Sequence, residues 1–447
     1  MEKIDVLVIG GGPAGVISAV TARKNYPDKS ILVMKDIGNG VIPCGIPYMF
    51  ASLKNPDDNK MGNAPLESNK IGIVVDKAVK IDRANKTVDT EKGVKYLYGK
   101  LIIAVGSSPM KLPIPGIDKE GVFQAYKDMD YLKSCVEKIK KAGNVLVIGG
   151  GFIGVEFADE ISKLEGKKVY LAEMLPNILA NSFDPEFSKI AEDKLKSQGV
   201  EILTNAKVTE ISGKDRVEKV KFADGKEIKI DSIILGLGAV PNIGLAADAG
   251  LNSEKGKGIW VDEYMRTSGP DIFAVGDCAC KKDFYTRKDT PVMLASTATA
   301  EARIAGANLY QLKVIRENKG TIAIYSTCID SLVLSSAGLT EQSAKKEGFE
   351  VVISTIDGVD KHPGTLPGVS KSKLKLIFSK HSGVLLGGQV SCGMACAQLI
   401  NIIGVAIQKR MSAAELETLQ LATHPYLTSA PTTYPIVLAA QDASMKI

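Results

Sequence analysis

The chain carries the sequence IDVLVIGGGPAG at residues 4–15, and this stretch decides the fold. Its first half, Ile4 to Ile9, is an apolar run that predicts a buried strand. A helix is predicted from Val16 to Lys24, and a second strand from Ile31 to Met34. Glycines at the turn of such a strand-helix-strand unit are typical of a dinucleotide-binding domain.

Each glycine of this turn has its own task in that kind of site. Gly10 makes the tight turn, Gly12 lets the backbone approach a pyrophosphate, and Gly15 allows the helix to pack on the strand. The helix N-terminus then attracts the phosphate charge. The phosphate-binding residues predicted here are Gly10, Gly12, Pro13, Ala14 and Gly15.

The end of the second strand departs from the usual pattern. An acidic residue is expected there to bind the ribose hydroxyls, but this chain has Lys35, followed by Asp36. We nevertheless expect Lys35 and Asp36 to lie at the ribose.

A second copy of the fingerprint follows an apolar strand at Val145 to Ile148. The strand Lys168 to Ala172 ends on Glu173, whose carboxylate accepts hydrogen bonds from a free 2′-hydroxyl and repels a 2′-phosphate. We therefore expect NADH, with NADPH less favoured, at this site, and one bound flavin at the first site. The residues predicted to bind at the second turn are Gly149, Gly151, Phe152, Ile153 and Gly154.

Composition excludes several other classes of protein. The net charge is only +5 over 447 residues, and no basic run is interleaved with aromatic residues, so nucleic-acid binding has no support. No uninterrupted apolar stretch is long enough to span a membrane. A predicted strand follows Met1 directly, so we expect no signal peptide and a cytoplasmic protein.

The seven cysteines form neither a disulfide framework nor a metal-ligand array, so no metal is predicted. Cys392 and Cys396 are spaced to share one helix face, and Cys278 and Cys280 are close in sequence. Both pairs permit a redox or metal site, but we expect these four cysteines to be buried and to pack as small hydrophobic side chains. The cysteines are Cys44, Cys135, Cys278, Cys280, Cys328, Cys392 and Cys396.

Three further segments complete a recognisable pattern: AVGSSP at 104–109, TSGPDIFAVGD at 267–277 and PCGIPY at 43–48. With them the chain resembles the pyridine nucleotide-disulfide oxidoreductases over essentially its full length. The segment around Cys44 is similar to the single-cysteine branch, which contains NADH oxidases, NADH peroxidases, coenzyme A-disulfide reductases and polysulfide or persulfide reductases.

The resemblance implies FAD and NADH as cofactors and assigns further residues to them. Asp277 would hold the ribityl chain of FAD, and Phe152 would cover the nicotinamide face of the flavin, although core packing is the alternative for Phe152. The remaining residues implied at the cofactors are Ala104, Gly106, Gly238, Gly276, Ala295, Ser296 and Thr297.

Cys44 would act without a second local cysteine, because none lies within five residues of it. Catalysis requires a thiolate, so we expect backbone donors and the flavin to lower its pKa from about 8.5. An oxidase or peroxidase would cycle Cys44 through a sulfenic acid, whereas a disulfide reductase would form a mixed disulfide on it. The alternative is an inert buried thiol.

The C-terminal segment differs from many coenzyme A-disulfide reductases, because Thr423 stands where they have tyrosine. His424 before Pro425 resembles the two-cysteine relatives, in which a histidine of the partner subunit is the acid-base catalyst. A surface histidine without a role is the alternative. Tyr426 and Tyr434 could donate hydrogen bonds or pack at an interface.

The predicted fold class is α/β, with two Rossmann-like dinucleotide-binding domains and an α+β C-terminal dimerisation domain. The predicted domains are 1–111 and 243–317 for FAD, 112–242 for NADH, and 318–447 for dimerisation. The last of these is predicted as a meander of strands at 321–325, 332–336, 351–355, 372–378 and 384–390, with helices at 341–347 and 395–408.

Three functional hypotheses follow for this expected homodimer. In the first, NADH, FAD and Cys44 pass electrons to dioxygen, as in an NADH oxidase. In the second, the acceptor is coenzyme A disulfide, polysulfide or persulfide. In the third, the reduced flavin serves a partner redox protein. Because relatives share the fold and the cysteine, the sequence does not choose the small-molecule acceptor.

Overall fold

The computed structural model describes all 447 residues, and its first sheet has seven strands. These strands are β1 (Glu2–Ile9), β2 (Ile31–Lys35), β3 (Gly72–Val75), β4 (Ala78–Asp82), β5 (Thr87–Thr90), β6 (Lys95–Ile103) and β19 (Ile272–Ala274). Their order is β3-β2-β1-β6-β5-β4, with β19 beside β6. β1 is parallel to both neighbours, and the second half of β1 is buried, which explains its continuous apolar run.

Helices cover this first sheet and bring together segments far apart in sequence. They are α1 (Pro13–Asn25), α2 (Ala64–Glu67), α6 (Gly244–Asp248) and α7 (Ala295–Ala307). Proline suits the first position of α1, where no amide hydrogen is needed. α1 and α7 approach closely at Gly306, where a Cβ atom would lie 2.7 Å from the Ser18 carbonyl oxygen. This contact fixes α7 against the helix that follows the first glycine turn.

The second sheet is entirely parallel, in the order β11-β10-β9-β15-β8, and a smaller antiparallel sheet is inserted in the chain before its last strand. Its strands are β8 (Val122–Gln124), β9 (Asn144–Ile148), β10 (Lys168–Ala172), β11 (Glu201–Leu203) and β15 (Ser232–Leu235). Its helices are α3 (Met129–Lys141), α4 (Phe152–Ser162) and α5 (Pro185–Ser197). A separate antiparallel sheet contains β12 (Val208–Ser212), β13 (Lys219–Phe222) and β14 (Glu227–Lys229).

Two short strands mark where the chain leaves the first sheet and returns to it. β7 (Ser107–Pro109) and β16 (Ala239–Pro241) pair antiparallel, so the outgoing and returning crossings lie side by side. Another small hairpin, β17 (Ser253–Glu254) and β18 (Gly258–Ile259), follows the return. This arrangement supports the proposed division at residues 111, 242 and 317, which remains our proposal.

The C-terminal sheet is antiparallel, in the order β20-β21-β24-β23-β22. Its strands are β20 (Tyr325–Ile329), β21 (Leu332–Gly338), β22 (Val351–Val359), β23 (Lys371–Ser379) and β24 (Leu385–Cys392). The helices of this region are α8 (Glu341–Lys346), α9 (Leu399–Gln408), α10 (Ala413–Leu416) and α11 (Pro435–Ser444). The predicted fold class, two Rossmann-like domains and an α+β domain, is confirmed. No helix combines the length and the apolar character needed to cross a membrane.

Three details of the C-terminal prediction are wrong. The first strand begins at Tyr325 and not at residue 321, because the positive φ of 57° at Ala323 interrupts the extended chain. The sheet is not a simple meander, since β24 lies between β21 and β23. The predicted helix at 395–408 begins only at Leu399, and the residues Met394–Cys396 form a short 3-10 turn directly after β24.

A buried charged cluster joins the second sheet region to the C-terminal sheet. Lys375 on β23 lies 3.0 Å from Asp184 at the start of α5, 2.7 Å from Glu186 and 2.7 Å from Glu341. Gln389 on β24 accepts a hydrogen bond from the Asp184 amide at 2.8 Å. Burial alone would lower the pKa of Lys375, but the three carboxylates raise it above its ordinary value. The ammonium therefore stays charged and holds three elements together.

We predict that Lys375→Met destabilises the protein by about 3 to 5 kcal/mol, because Asp184 would be left buried without its cation. The measurement is urea denaturation of the FAD-loaded protein. Lys373→Met is the matched control on the same strand, since its partner Asp357 is exposed, and it should cost less than about 1 kcal/mol. Equal losses of stability in Lys375→Met and Lys373→Met would contradict a stabilising role of the buried cluster around Lys375.

Candidate functional site

The turn after β1 requires glycine at two positions. Gly10 has a φ of 118°, and a Cβ atom there would lie 2.1 Å from the carbonyl oxygen of Ala104. A Cβ atom at Gly15 would lie 1.9 Å from the carbonyl oxygen of Gly10. Gly12 is different, because no atom lies within 4 Å of its missing Cβ. The turn is therefore packed tightly on the protein side and open where a ligand would approach.

The turn after β9 repeats this geometry. Gly149 has a φ of 107°, and its Cβ would lie 2.4 Å from the carbonyl oxygen of Gly236. A Cβ at Gly154 would lie 1.8 Å from the carbonyl oxygen of Gly149, and Gly151 again faces open space. Two turns of one chain thus form the same cradle of backbone atoms, open on the side of Gly12 and Gly151.

The two sites differ at the end of the following strand. The amide of the first glycine in each turn donates a hydrogen bond of 2.8 Å, to the Met34 carbonyl in the first site and to the Ala172 carbonyl in the second. The next residues, Lys35 and Glu173, therefore occupy equivalent positions.

The side chains at these positions make different contacts. The Glu173 carboxylate accepts hydrogen bonds from the Gly150 amide at 2.6 Å and the Leu175 amide at 2.8 Å. Lys35 is buried and donates to the Asn63 side-chain oxygen at 2.9 Å. The negative charge expected at the ribose is therefore present at the second site and replaced by a positive charge at the first.

Three helices present free N-termini around these sites. α1, α4 and α7 begin without a side-chain cap and without an acidic residue in the first turn. Their first amide groups thus remain available to an anionic or electronegative ligand group, in the field of the helix dipole. The start of α7 contains the predicted residues Ala295, Ser296 and Thr297.

The Asp277 turn lies against the first glycine turn. At Gly276 the φ is 74°, and a Cβ would lie 2.8 Å from the Ala14 Cβ. Asp277 accepts a hydrogen bond from the Ser107 hydroxyl at 2.8 Å, and the Lys127 ammonium lies 3.8 Å from the same carboxylate oxygen. Segments from three parts of the sequence therefore meet at one cradle.

A buried ion pair, which the sequence analysis did not predict, supports this turn. Glu301 on α7 accepts a hydrogen bond from the Gly276 amide at 2.9 Å and pairs with the Lys281 ammonium at 3.1 Å. Burial raises the pKa of Glu301, and Lys281 opposes this effect. The second carboxylate oxygen of Glu301 is buried without a hydrogen-bond partner.

Cys44 lies in the short 3-10 turn Pro43–Gly45, and its side chain is exposed. The exposure argues against the alternative of a buried inert thiol. Asn59 determines the close packing of this turn, since a Cβ at Gly45 would lie 1.9 Å from its side-chain oxygen. The turn therefore holds the Cys44 thiol outward on a rigid support.

The polypeptide alone does not lower the pKa of the Cys44 thiol. Partial desolvation raises the pKa, and the carboxyl groups of Glu156 and Asp277 raise it further. Lys127 opposes them, and the backbone donor at Cys44 has the smallest effect. The lowered pKa expected of the complete site, with its flavin, stays a prediction.

Comparison with known proteins identifies the family. Residues 4–302 match the pyridine nucleotide-disulphide oxidoreductases, and residues 324–435 match the dimerisation domain of the same group. The chain belongs to the pyridine nucleotide-disulphide oxidoreductase family. It is 31% identical to NADH oxidase of Methanocaldococcus jannaschii over 99% of each chain. It is 32% identical to the NAD(P)H coenzyme A polysulfide/persulfide reductase of Pyrococcus horikoshii over 87% of each chain.

A solved structure gives the same result. The NAD-dependent persulfide reductase of A. fulgidus superimposes with a TM-score of 0.92 at 30% identity, covering 99% of this chain and 83% of that one. The predicted family is thus confirmed, and both leading functional classes of the sequence analysis occur among the relatives. Family membership identifies an oxidoreductase enzyme that uses FAD and NAD(P)H.

The residues present fit both cofactors of an oxidoreductase of this family. Gly12 and Gly151 leave the space that a pyrophosphate needs, and two uncapped helices begin directly at these turns. Gly106 and Gly238, with φ values of 66° and 84°, lie where the chain crosses between the two sheets. The unpartnered oxygen of Glu301 is a further polar group beside the FAD cradle.

Phe152 contacts the C-terminal domain as well as its own. Its ring stacks on Tyr325 of β20, with centroids 4.9 Å apart and planes at 17°, and lies 6.0 Å from the Phe183 ring. This packing agrees with the alternative of core packing for Phe152, and its role as a cover over the flavin remains a prediction. Ile153 beside it is partly exposed.

His424 makes only local contacts within its own chain. Its Nδ1 accepts a hydrogen bond from the Tyr426 amide at 3.3 Å, and its amide donates to the Thr428 hydroxyl at 3.1 Å. The side chain is exposed, and no hydrogen bond or ion pair joins it to Cys44. In this oxidoreductase His424 could reach a thiol only across a dimer, which stays a prediction. Tyr434 is buried.

One of the two cysteine pairs singled out in the sequence is bonded in a way that we did not expect. Cys392 and Cys396 form a disulfide, so the interpretation as two small hydrophobic side chains is wrong for them. They do not share a helix face, because Cys392 ends β24 and the chain turns at Gly393. Cys278 is free and buried, and Cys280 is free and half-buried.

The sequence analysis also missed Glu156, an acid inside the apolar part of α4. It is buried, and Thr327 donates a hydrogen bond of 2.9 Å to its carboxylate. Burial raises the pKa of Glu156 to about 7, the hydrogen bond opposes this, and the neighbouring Asp159 and Glu160 raise it further. The available signal was the position of Glu156 two residues after the last fingerprint glycine.

We predict that Glu156 makes the protein less stable as pH rises from about 4.5 to 7, because the folded state keeps a proton that the unfolded state loses. The full effect is roughly 3 kcal/mol. Denaturant unfolding at about pH 5 and about pH 8 should therefore show a smaller pH dependence for Glu156→Gln than for the wild type. The exposed Glu165→Gln is the control. An unchanged pH dependence in Glu156→Gln would contradict the raised pKa.

Proposed function

We propose that the enzyme passes electrons from NADH through FAD and Cys44 to dioxygen, as an NADH oxidase. The observation that carries the electron path is the pair of equivalent glycine turns with different residues, Lys35 and Glu173, at the ribose position. The similarity to an NADH oxidase over 99% of each chain supports dioxygen as the acceptor. One turn would retain FAD, and the other would exchange NADH. When bound, FAD supplies two-electron transfer between the nicotinamide and a thiol-based acceptor.

Glu173 supports the choice of NADH over NADPH. Two backbone amides fix its carboxylate at the strand end, so its charge cannot turn away from a bound ribose. A free 2′-hydroxyl can donate to this carboxylate, whereas a 2′-phosphate would be repelled.

We predict that Glu173→Ala reduces the preference for NADH over NADPH by about tenfold or more, which corresponds to the loss of about 1.4 kcal/mol or more of repulsion toward the 2′-phosphate. The measurement is the ratio of kcat/KM for the two nucleotides. Glu201→Ala, an exposed acid on the adjacent β11, should leave the ratio unchanged. A wild type that already prefers NADPH would refute the role given to Glu173.

Cys44 is the proposed acceptor of electrons from the flavin. The thiol is exposed, and no second cysteine of the same turn competes for it. Peroxide formed by reduction of dioxygen would oxidise the thiol to a sulfenic acid, with release of one water. The sulfenic acid would then take up two electrons from the flavin and two protons, which restores the thiol and releases a second water. Lys127, the one cation that lowers the pKa of Cys44, would stabilise the thiolate.

We predict that Cys44→Ser leaves a yellow, folded protein that takes up fewer electrons. In an anaerobic reductive titration the oxidised wild type should accept about four electrons per flavin and the variant about two, because the sulfenic acid is lost. Cys328→Ser, which removes a half-buried thiol elsewhere in the chain, should titrate like the wild type. Equal uptake by wild type and Cys44→Ser would exclude Cys44 from the reaction.

A second candidate function is reduction of a low-molecular-weight disulfide, polysulfide or persulfide. The exposed side chain of Cys44 favours it, because a sulfur atom of a large acceptor could reach the thiol directly. The Cys44 thiolate would attack one sulfur and form a mixed disulfide, and the leaving thiolate would need a proton. His424 of the second subunit would supply this proton.

One experiment separates the two functions. The enzyme is reduced anaerobically with NADH, and reoxidation is then followed with dioxygen, peroxide, coenzyme A disulfide or polysulfide. We expect dioxygen to be the fastest acceptor, with the same rate in His424→Gln and in the control His381→Gln. Faster reoxidation by a disulfide or polysulfide, slowed about 10²-fold in His424→Gln only, would instead establish the second function.

We further propose that the enzyme is a cytoplasmic homodimer. The match of residues 324–435 to a dimerisation domain supports the dimer. Five of the seven cysteines are free thiols, which is typical of a reducing compartment.

A further inference from the structure

The disulfide between Cys392 and Cys396 lies outside the proposed electron path. Its Cα atoms are 6.2 Å apart, and it closes the turn between the end of β24 and the start of α9. Cys392 is fully buried, whereas Cys396 is 5% exposed and lines a small cavity. A redox-capable pair of sulfur atoms thus lies next to a space that opens toward the solvent.

The disulfide turn is packed against the segment from Asp360 to Ser370. At Gly393, between the two cysteines, a Cβ atom would lie 2.3 Å from a carboxylate oxygen of Asp360 and 2.6 Å from the hydroxyl of Ser370. Asp360 is buried, and its carboxylate accepts a hydrogen bond from the Ser370 amide at 2.8 Å. Because this fit leaves no room for a side chain, a shift of the turn would displace the segment.

The same segment holds the loop that carries His424, which we define as residues 424–429. The His362 amide donates to the Pro425 carbonyl at 3.1 Å, and the His362 Nδ1 lies 3.1 Å from the Thr428 carbonyl oxygen. The Ser429 hydroxyl donates to the Val359 carbonyl at 2.6 Å. The His424 loop therefore rests on the segment that in turn rests on the disulfide.

A cavity of about 90 Å³ provides a second, direct connection. Cys396 lines this cavity together with Leu427, Thr428 and Ser429 of the His424 loop and with Tyr434. The disulfide turn and the loop therefore share a boundary as well as a common support.

We propose that Cys392 and Cys396 are a reversible dithiol–disulfide couple, and that the disulfide holds the His424 loop in its present conformation. The couple is a redox switch, separate from Cys44, and it does not depend on what His424 does to an acceptor. Reduction of the disulfide would free the turn at Gly393. It would thereby loosen the support of the His424 loop by the segment from Asp360 to Ser370, and also the boundary that the turn and the loop share at the cavity.

The chemistry requires a small dithiol as reductant. Its thiolate attacks the Cys396 sulfur, which faces the cavity, forms a mixed disulfide and releases Cys392 as a thiolate that takes up a proton. The second thiol of the reductant then displaces the Cys396 thiolate, which is protonated in turn. Two electrons and two protons pass to the protein, and the reductant leaves as a cyclic disulfide.

Reduction should leave the fold intact. Cys392 is paired with Val333 of β21 in the central part of the sheet, so its position does not rely on the disulfide. A loop closed between residues only four apart also restricts the unfolded chain least. The expected consequence of reduction is therefore local mobility of the turn and the loop.

The first test maps the thiols of the FAD-loaded enzyme. Alkylation followed by digestion should show the peptide with Cys392 and Cys396 unmodified after air oxidation, and doubly alkylated after incubation of the native protein with dithiothreitol. Removal of the dithiol in air should restore the unmodified form. A peptide that is alkylated from the start, or a disulfide that resists the dithiol until the protein unfolds, would overturn the proposal.

The second test follows the three histidines of the chain by NMR, in a Cys44→Ser background so that only the disulfide responds. The ring signals of His362 and His424 should shift on reduction, while that of His381, an exposed residue near Glu350, should not. In protein that also carries Cys392→Ser and Cys396→Ser, the dithiol should shift none of them. Reduction of the native disulfide without a shift of His362 or His424 would refute the link to the loop.

Discussion

The close approach of backbone to backbone at the two glycine turns is the constraint on which the rest of the structure depends. At Gly15 and Gly154 the carbonyl oxygen of the preceding turn lies less than 2 Å from where a Cβ would be, so no other residue fits. This contact presses each helix onto its strand and turns the helix N-terminus toward the open side at Gly12 or Gly151. The ligand sites are therefore a direct consequence of the packing.

The two glycine turns pack in the same way. Any difference in what the two turns bind must therefore come from the residues around each turn. The strand end carries Lys35 in one copy and Glu173 in the other, and only the first copy has the Asp277 turn packed on it. The Lys375 cluster then fixes the second copy against the C-terminal sheet, where Tyr325 stacks on Phe152. The proposed assignment of a retained cofactor to the first turn and an exchanging one to the second rests on these different neighbours.

The sequence analysis predicted the features that depend on residues close together in the chain. It missed the contacts between residues that lie far apart in the chain. Both glycine turns, their strands and helices, and Glu173 could be read from spacing alone. The charged cluster could not, because Lys375 and Asp184 lie far apart in sequence and either alone resembles a surface residue. The Cys392 and Cys396 pair was misjudged because helical spacing was assumed where Gly393 instead turns the chain after a strand.

The most direct test of the central claim, that two equal turns hold different dinucleotides, compares Gly12→Val with Gly151→Val. Both glycines have ordinary φ values, −76° and −75°, and open space at the Cβ, so valine should fill the ligand site without straining the protein. The measurement is flavin content and anaerobic reduction by NADH. Gly12→Val should be folded and colourless, while Gly151→Val should be yellow and reducible by dithionite but not by NADH. A yellow Gly12→Val protein, or normal NADH reduction of Gly151→Val, would contradict the account.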